Sequence, residues 1–411
     1  MLRLEEALRR VADALPRGGR AVERVPLTAS VGRVLADDVR MDHDVPPFRR
    51  ATMDGYAFVK APAVGVPVPV TGRVSAGDAP GARLGPGEAS LVMTGAPLPA
   101  GATCVIPFEW TDEGRDAVTL ARPAGDDPFV VEAGAHAARG AVVVSAGTRL
   151  SAAAPGALAT AGLAEVPVFA RPRVAVLGTG DELVAVDVAP GPGRIRNSNG
   201  PLLAALATHA GAVSRDLGIA PDDEHALRAS LAAALEGADV VLTSGGVSRG
   251  DRDLVPALLT GLGVREIFHR WAVQPGGPLW CGIRGDTLVV GLPGNPAASR
   301  VGFELLVRPA LDALGGLPFA PRACVQATWA GSWGKPMPRR RFRPVAVHVD
   351  AQGGLVATSL PWRGSGDPFA LADAPAWLVL PEDTPAPVPG PRGVVVDVLL
   401  FALPTPAGAA S

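Results

Sequence analysis

The stretch "DTLVVGLPGNPAASRVGFELLVRPAL", residues 286–311, decides the fold class. Leu288, Val289 and Val290 make a short apolar, β-branched run, the mark of a buried strand. Glycine and proline then break the chain from Gly291 to Asn295. From Pro296 onward apolar residues return at helical spacing, and proline in a first turn is favoured because its missing N–H has no partner there. The stretch therefore reads as strand, tight loop, helix.

The same form recurs upstream. "RVAVLGTGDEL" (173–183) is an apolar run ending in glycines, followed by a helix in "NGPLLAALATHAG" (199–211) with Asn199 or Gly200 at its cap. "AVSRDLGIA" (212–220) reads as a strand and "DDEHALRASLAAALEG" (222–237) as a helix with acids in its first turn, where the helix dipole favours them. "ADVVLTSGG" (238–246) is a further strand ending in glycine. Strands alternating with helices predict βαβ units and a parallel sheet covered on both faces.

Outside residues 172–317 the texture differs. Leu4, Leu8, Val11 and Leu15 predict an amphipathic helix over 2–15. Residues 46–144 carry short alternating runs such as "VPVPVTGRV" (66–74) with frequent Pro and Gly, which predicts a mostly β domain. After about 318, "PVAVHVD", "GLVATSL", "AWLVLP" and "GVVVDVLLF" predict a small C-terminal β domain. The division is 1–45 with 145–171 as a discontinuous linker domain, 46–144 inserted, 172–317 α/β, 318–403 C-terminal and 404–411 a tail.

Composition narrows the function classes. With 411 residues, a net charge of −2 and 48% hydrophobic residues, the chain is expected to be a globular cytoplasmic protein without a field for nucleic acid. Lys60 and Lys335 are the only lysines, a compositional habit. Cys104, Cys281 and Cys324 form no C-x-x-C pair, so buried free thiols are expected. "MLRLEEALRR" lacks the apolar core of a leader, and no apolar run reaches membrane-spanning length.

Three glycine loops carry the chemical signal: "GTGDE" (178–182), "TSGG" (243–246) and "GLPGN" (291–295). Each follows an apolar strand, so a parallel sheet gathers all three at its carboxyl edge, where such folds bind ligands. Free amides in glycine loops beside helix N-termini favour anions. Neither the dinucleotide nor the P-loop fingerprint fits. Asp181 and Glu182 on the first loop, with Asp251 and Asp253 past the second, would repel an anion unless Mg²⁺ bridged them to it.

Several phrases fall in an order that resembles the molybdopterin molybdenumtransferase family, which includes the gephyrin E domain. They are "DVPPFRRATMDGYAF" (44–58), "VMTGAPLPAGATCVIP" (92–107), "SAGTRLSAAAPGALATAGLAEVPV" (145–168), "GTGDEL", "TSGGVSRGDRD" (243–253), "QPGGP" (274–278), "GLPGNPAAS" (291–299) and "RGSG" (363–366). The resemblance implies a central α/β domain of the molybdopterin-binding type, an inserted mostly-β lid domain and a C-terminal β-barrel-like domain. It also implies a cytosolic homodimer, with the α/β domain of one subunit facing the β domain of its partner. The implied reaction is Mg²⁺-dependent insertion of molybdate (or tungstate) into adenylylated molybdopterin, with release of AMP.

Carried over residue by residue, Asp54, Thr94, Glu182, Asp222 and Asp253 are the implied catalytic set, with Glu182 and Asp253 toward the metal. Gly180, Asp181, Ser244, Gly245, Gly246, Asp251, Arg270, Pro293, Gly294, Asn295, Pro296 and Ser365 are the implied binding set. Tyr56, the only tyrosine, reads as a packing anchor with its hydroxyl at a polar rim.

Two departures stand out. Family members carry an aspartate before "AGTRL", where this chain has Ala135 and His136, and lysines in a K-P-G-K-P phrase that here reads "QPGGP" with Gln274 and Gly277. Arg249, Arg252 and Arg300 are the candidates to restore the lost charge. The departures also motivate an alternative, a non-catalytic paralogue that binds the molybdopterin nucleotide as carrier, regulator or scaffold.

Overall fold

The computed structural model describes residues 1–16, 21–247, 254–331, 333, 335–372, 374–385 and 394–401, with the backbone of 405 and 406. The chain divides into two compact units. One holds Met1–Glu23, Gly32–Val34 and Val168–Ser411, the other Arg24–Val31 and Leu35–Pro167.

The core of the first unit is a six-stranded sheet. Its strands are β1 (Arg173–Thr179), β2 (Val213–Ala220), β3 (Val240–Ser244), β4 (Arg265–His269), β5 (Trp280–Arg284) and β6 (Thr287–Leu292), in the order β2-β1-β3-β6-β5-β4. The first four in that order are parallel, as the sequence predicts. The last two are not: β5 pairs antiparallel with β6, and β4 antiparallel with β5. Only Gly285 and Asp286 separate β5 from β6, and a two-residue link can join only antiparallel neighbours. Gly285 takes a φ of 56°, which that tight turn requires.

Successive side chains of the parallel strands leave on opposite faces. Val174, Val176, Val240, Leu242, Leu288 and Val290 enter one core, and Ala175, Leu177, Val241 and Val289 enter another. Helices α3 (Glu224–Leu235) and α4 (Val255–Gly261) cover the second core through Leu227, Leu231, Val255 and Leu259. Helices α1 (Leu4–Ala14), α2 (Asn199–His209) and α5 (Pro296–Gly302) cover the first.

The placement of α1 differs from the sequence expectation, which grouped residues 1–45 with 145–171. Leu4, Ala7, Leu8 and Val11 share the first core with Phe268 and Trp271, and the Ala272 amide donates to the Leu2 carbonyl at 2.7 Å. Its apolar stripe finds the largest apolar surface within reach, and the sequence alone does not say whose that is.

The C-terminal strands of this unit close into a ring. Arg340–Val349 pairs with both Leu355–Ser359 and Ala376–Leu380, while Val325–Ala330 and Val394–Leu400 complete the circuit. The β-barrel expectation holds here. Val273–Gln274 adds in parallel to the ring at Arg340 and Arg341, which fixes the "QPGGP" loop against the barrel.

The second unit is mostly β. Gly55–Phe58 lies between Ala89–Val92 and Cys104–Pro107, antiparallel to both, and Val68–Val74 and Ala117–Val118 extend the sheet. Ala57 packs with Val92 and Val105 on one face; Tyr56 and Phe58 pack with Ile106 and Leu120 on the other. The Tyr56 ring meets Phe108 edge-on at 5.3 Å, and its hydroxyl donates to the Gly114 carbonyl at 3.0 Å. That is the anchor role read from the sequence.

Of the cysteines, Cys281 is buried, Cys104 half-buried and Cys324 exposed, so the expectation of three buried thiols fails at Cys324. Among the described residues no helix is long and apolar enough to cross a membrane.

Candidate functional site

The three glycine loops leave β1, β3 and β6, which are consecutive in the sheet, so they stand side by side at its carboxyl edge. Backbone geometry explains the glycines. Gly245 has a φ of 98°, and a Cβ there would lie 2.5 Å from the Thr179 carbonyl oxygen. At Gly180, with a φ of 135°, a Cβ would come within 2.3 Å of the Glu182 carboxylate. Gly180 therefore leaves the space into which the Glu182 side chain folds back.

A cavity of about 650 Å³ opens over these loops. Its walls include Glu182, Ser244, Gly245, Gly246, Pro293, Gly294, Asn295 and Pro296, all named by the sequence. A second cavity of about 370 Å³ shares Pro278, Pro293 and Asn295 with it and extends to Gln274, Gly277, Ser365 and Arg339. Ser365 closes on the third loop: Asn295 Nδ2 donates to Ser365 Oγ at 3.1 Å, and the Ala297 amide to the Ser365 carbonyl at 3.1 Å.

Asp181 and Asp222 face each other nearby without lining either cavity. Each carboxylate accepts from the other's backbone amide, at 3.2 and 3.4 Å. Arg270 is also off both walls; it sits at a φ of 72° with its amide bonded to the Leu279 carbonyl. Asp251 and Asp253, with Arg249 and Arg252, lie outside the described residues.

Arg300 does not compensate for the lost lysines. Its guanidinium donates to the Leu371 carbonyl at 2.6 Å and lies over the Phe401 ring at 4.6 Å. Arg339 on the smaller cavity and Arg196 on the larger one are cations the sequence reading missed. A Cβ on Gly277 would stand 3.8 Å from Arg339 Nη1, so that guanidinium occupies the neighbourhood of the "QPGGP" loop. The parallel pairing of Val273 with Arg340 brings Arg339 there, a register that no local pattern announces.

Asn197 and Asn199 are the other residues the sequence underread. Asn197 Oδ1 accepts from the Gly200 amide at 3.0 Å, so Asn197 supplies the cap. Asn199 is buried, and its Nδ2 reaches Ser244 Oγ at 2.7 Å and the Gly294 carbonyl at 2.6 Å.

In the second unit, Asp54 and Thr94 meet. Asp54 Oδ1 accepts from the Thr94 amide at 2.6 Å and from its hydroxyl at 2.8 Å. These donors, the amide first, hold the Asp54 carboxyl below the usual carboxylate range. Asp54 thus stays ionised as pH falls through an ordinary Asp value of about 3.9, and any stability this contributes is full above that value and is lost progressively as pH falls from it through Asp54's own lower value. Thr94→Val removes one donor and should move the Asp54 titration upward in a carboxyl ¹³C NMR experiment; an unchanged midpoint would mean the hydroxyl contributes nothing. His136 is exposed.

Family models match in consecutive blocks: the MoeA N-terminal region (domain I and II) over 2–162, a probable molybdopterin binding domain over 175–313 and the MoeA C-terminal region (domain IV) over 326–401. Molybdopterin molybdenumtransferase of Bacillus subtilis is 35% identical over 393 residues, 93% of this chain and 90% of that protein. The chain belongs to the molybdopterin molybdenumtransferase family. Molybdopterin molybdenumtransferase 2 of Mycobacterium tuberculosis is 36% identical over 87% of this chain and 91% of its own length. Two structures of the molybdopterin biosynthesis MoeA protein of Pyrococcus horikoshii match with TM-scores of 0.81 and 0.82 at 32% and 27% identity, each covering 98% of this chain and 100% of the other. The two cavities over the glycine loops thus lie in the blocks matched to the molybdopterin-binding and C-terminal regions of the family.

Proposed function

We propose that this chain is a molybdopterin molybdenumtransferase that inserts molybdate into adenylylated molybdopterin and releases AMP, in molybdenum cofactor biosynthesis. One observation carries the reading: glycine-loop amides, the Glu182 carboxylate and a cavity with a single guanidinium adjoin one another at the carboxyl edge. The larger cavity suits the nucleotide, whose phosphate oxygens would meet the loops. The smaller one suits the tetrahedral oxyanion, with Arg339 supplying charge and Ser365, Asn295 and Gln274 neutral donors.

Among the described residues no group of three or more His, Cys, Asp or Glu side chains could hold a metal. One carboxylate on the wall still fits Mg²⁺, which is commonly shared between one or two protein carboxylates and substrate phosphates. Glu182, with Asp253 as implied by the family, would hold it. Bound there, the ion would neutralise phosphate charge as the bond to AMP breaks. Glu182 is then a holder of charge, while the loops orient the nucleotide and Arg339 the oxyanion.

Asp54 and Thr94 belong to the second unit. In this proposal they complete the site across a homodimer, Asp54 being held ionised by Thr94. Tungstate is a second possible oxyanion substrate. Gln274 and Gly277 favour the alternative of a nucleotide-binding paralogue without turnover, since only one cation lines the smaller cavity among the described residues. Molybdate-dependent release of AMP separates the two: the transferase gives it, the paralogue binds and releases nothing.

A further inference from the structure

We infer that Asn199 is a positioning residue of this site, whose carboxamide holds two of the glycine loops in the register that leaves their amides to an anion. The inference rests on the transferase reading for the identity of the ligand, and on geometry for the rest.

Asn199 opens α2 and is 6% exposed. Its Nδ2 has two hydrogens and spends both, one on Ser244 Oγ at the end of β3 and one on the Gly294 carbonyl after β6. The carbonyl can only accept, so the orientation of the carboxamide is fixed by that contact. A second buried side chain acts on the same loop: Ser299 Oγ donates to the Pro293 carbonyl. Consecutive carbonyls of the "LPGN" loop are therefore both occupied from within the protein. A carbonyl left free at an anion pocket would repel phosphate oxygens; two engaged carbonyls remove that repulsion.

The amides are treated differently. Gly246, Gly294 and Asn295 line the larger cavity, and their backbone N–H groups donate to no acceptor among the described residues. The loops thus present donors to the cavity and turn acceptors to Asn199 and Ser299. Ser244 Oγ accepts from Asn199, which leaves its own proton to donate. One side chain so sets the polarity of two loops, the kind of support that keeps a binding constellation within its tolerance.

The test uses the full-length protein, AMP as the binding probe and two variants. Asn199→Asp keeps the shape but replaces the donor by a carboxylate facing the Gly294 carbonyl. Asn199→Ala removes the donor without adding charge. At pH 8, AMP affinity by calorimetry should fall at least about 100-fold in Asn199→Asp and about 10-fold in Asn199→Ala, each kcal-scale donor to an anion site being worth about this much. As pH is lowered, Asn199→Asp should regain affinity relative to wild type, because a protonated carboxyl again donates to Gly294.

A residue that mattered only for folding would shift the thermal midpoint and show no such pH-dependent recovery. Affinity within twofold of wild type in Asn199→Ala, or no recovery in a folded Asn199→Asp, overturns the inference; if Asn199→Asp does not fold, Asn199→Ala decides. These readouts are independent of turnover. A wild type that binds AMP but never releases it from the adenylylated substrate would overturn the transferase reading while leaving the Asn199 result standing.

Discussion

Glu182→Gln is expected to lower the rate of AMP release at least about 100-fold, equivalent to about 2.7 kcal/mol of lost transition-state stabilisation, while the protein stays folded. Glu182 is the one carboxylate on the wall of the larger cavity among its described lining residues. Glutamine keeps the shape and one acceptor oxygen but removes the charge that a hard cation requires beside phosphate. The side chain is exposed, folds back over Gly180, and among the described residues makes none of the ion pairs that hold the unit together. The thermal midpoint should therefore move by no more than a substitution at an ordinary surface site, within about 0.5 kcal/mol. Asp222→Asn provides the contrast. It lies outside both cavities, so its effect should be smaller. Full activity in Glu182→Gln would remove the carboxylate from the account.

Gly55→Ala is expected to cost about 3 kcal/mol or more, without any change in the chemistry of the first unit. A Cβ at Gly55 would stand 2.0 Å from the Ile106 carbonyl oxygen, 2.8 Å from its carbon and 3.0 Å from the Pro107 Cα. All three are backbone atoms of the neighbouring strand, so no rotamer can relieve the overlap and the strands must part. Parting them disturbs Tyr56 and Phe58, both fully buried, and shifts Asp54, whose carbonyl accepts from the Phe108 amide at 3.1 Å. The melting transition of this unit should fall by roughly 6–12 °C. Tyr56→Phe, which loses only the bond to the Gly114 carbonyl, should cost about 1 kcal/mol. A Gly55→Ala protein that melts with wild type would show that the register of Gly55–Phe58 against Cys104–Pro107 is wrong.

Much of the site can be read without coordinates because the signals are local. Apolar runs of four to six residues ending in glycine identify β1, β3 and β6, and the rule for parallel sheets collects their loops. Those two signals bring Glu182, Ser244, Gly245, Gly246 and Pro293–Asn295 together; Pro296 comes from the family resemblance. Most of the misses share one cause, a contact between distant parts of the chain. Arg339 reaches the "QPGGP" loop through a strand pairing that spans the interval from Val273 to Arg340. The antiparallel β5 resembles its parallel neighbours in composition, and only the two-residue turn at Gly285 and Asp286 betrays it. Asn199 looked like a helix cap because Asn, in that position, satisfies the local grammar of a helix start. Its carboxamide instead reaches two loops in other βα units, while Asn197 does the capping.

The measurement that bears most directly on the account is AMP release from adenylylated molybdopterin by the purified protein with Mg²⁺, with and without molybdate, with Glu182→Gln as the background. The account predicts release that depends on molybdate and is lost in Glu182→Gln, which would show that one guanidinium and neutral donors suffice at the oxyanion cavity. Tight binding of the nucleotide with no release under molybdate or tungstate would contradict it and make the chain a nucleotide-binding paralogue.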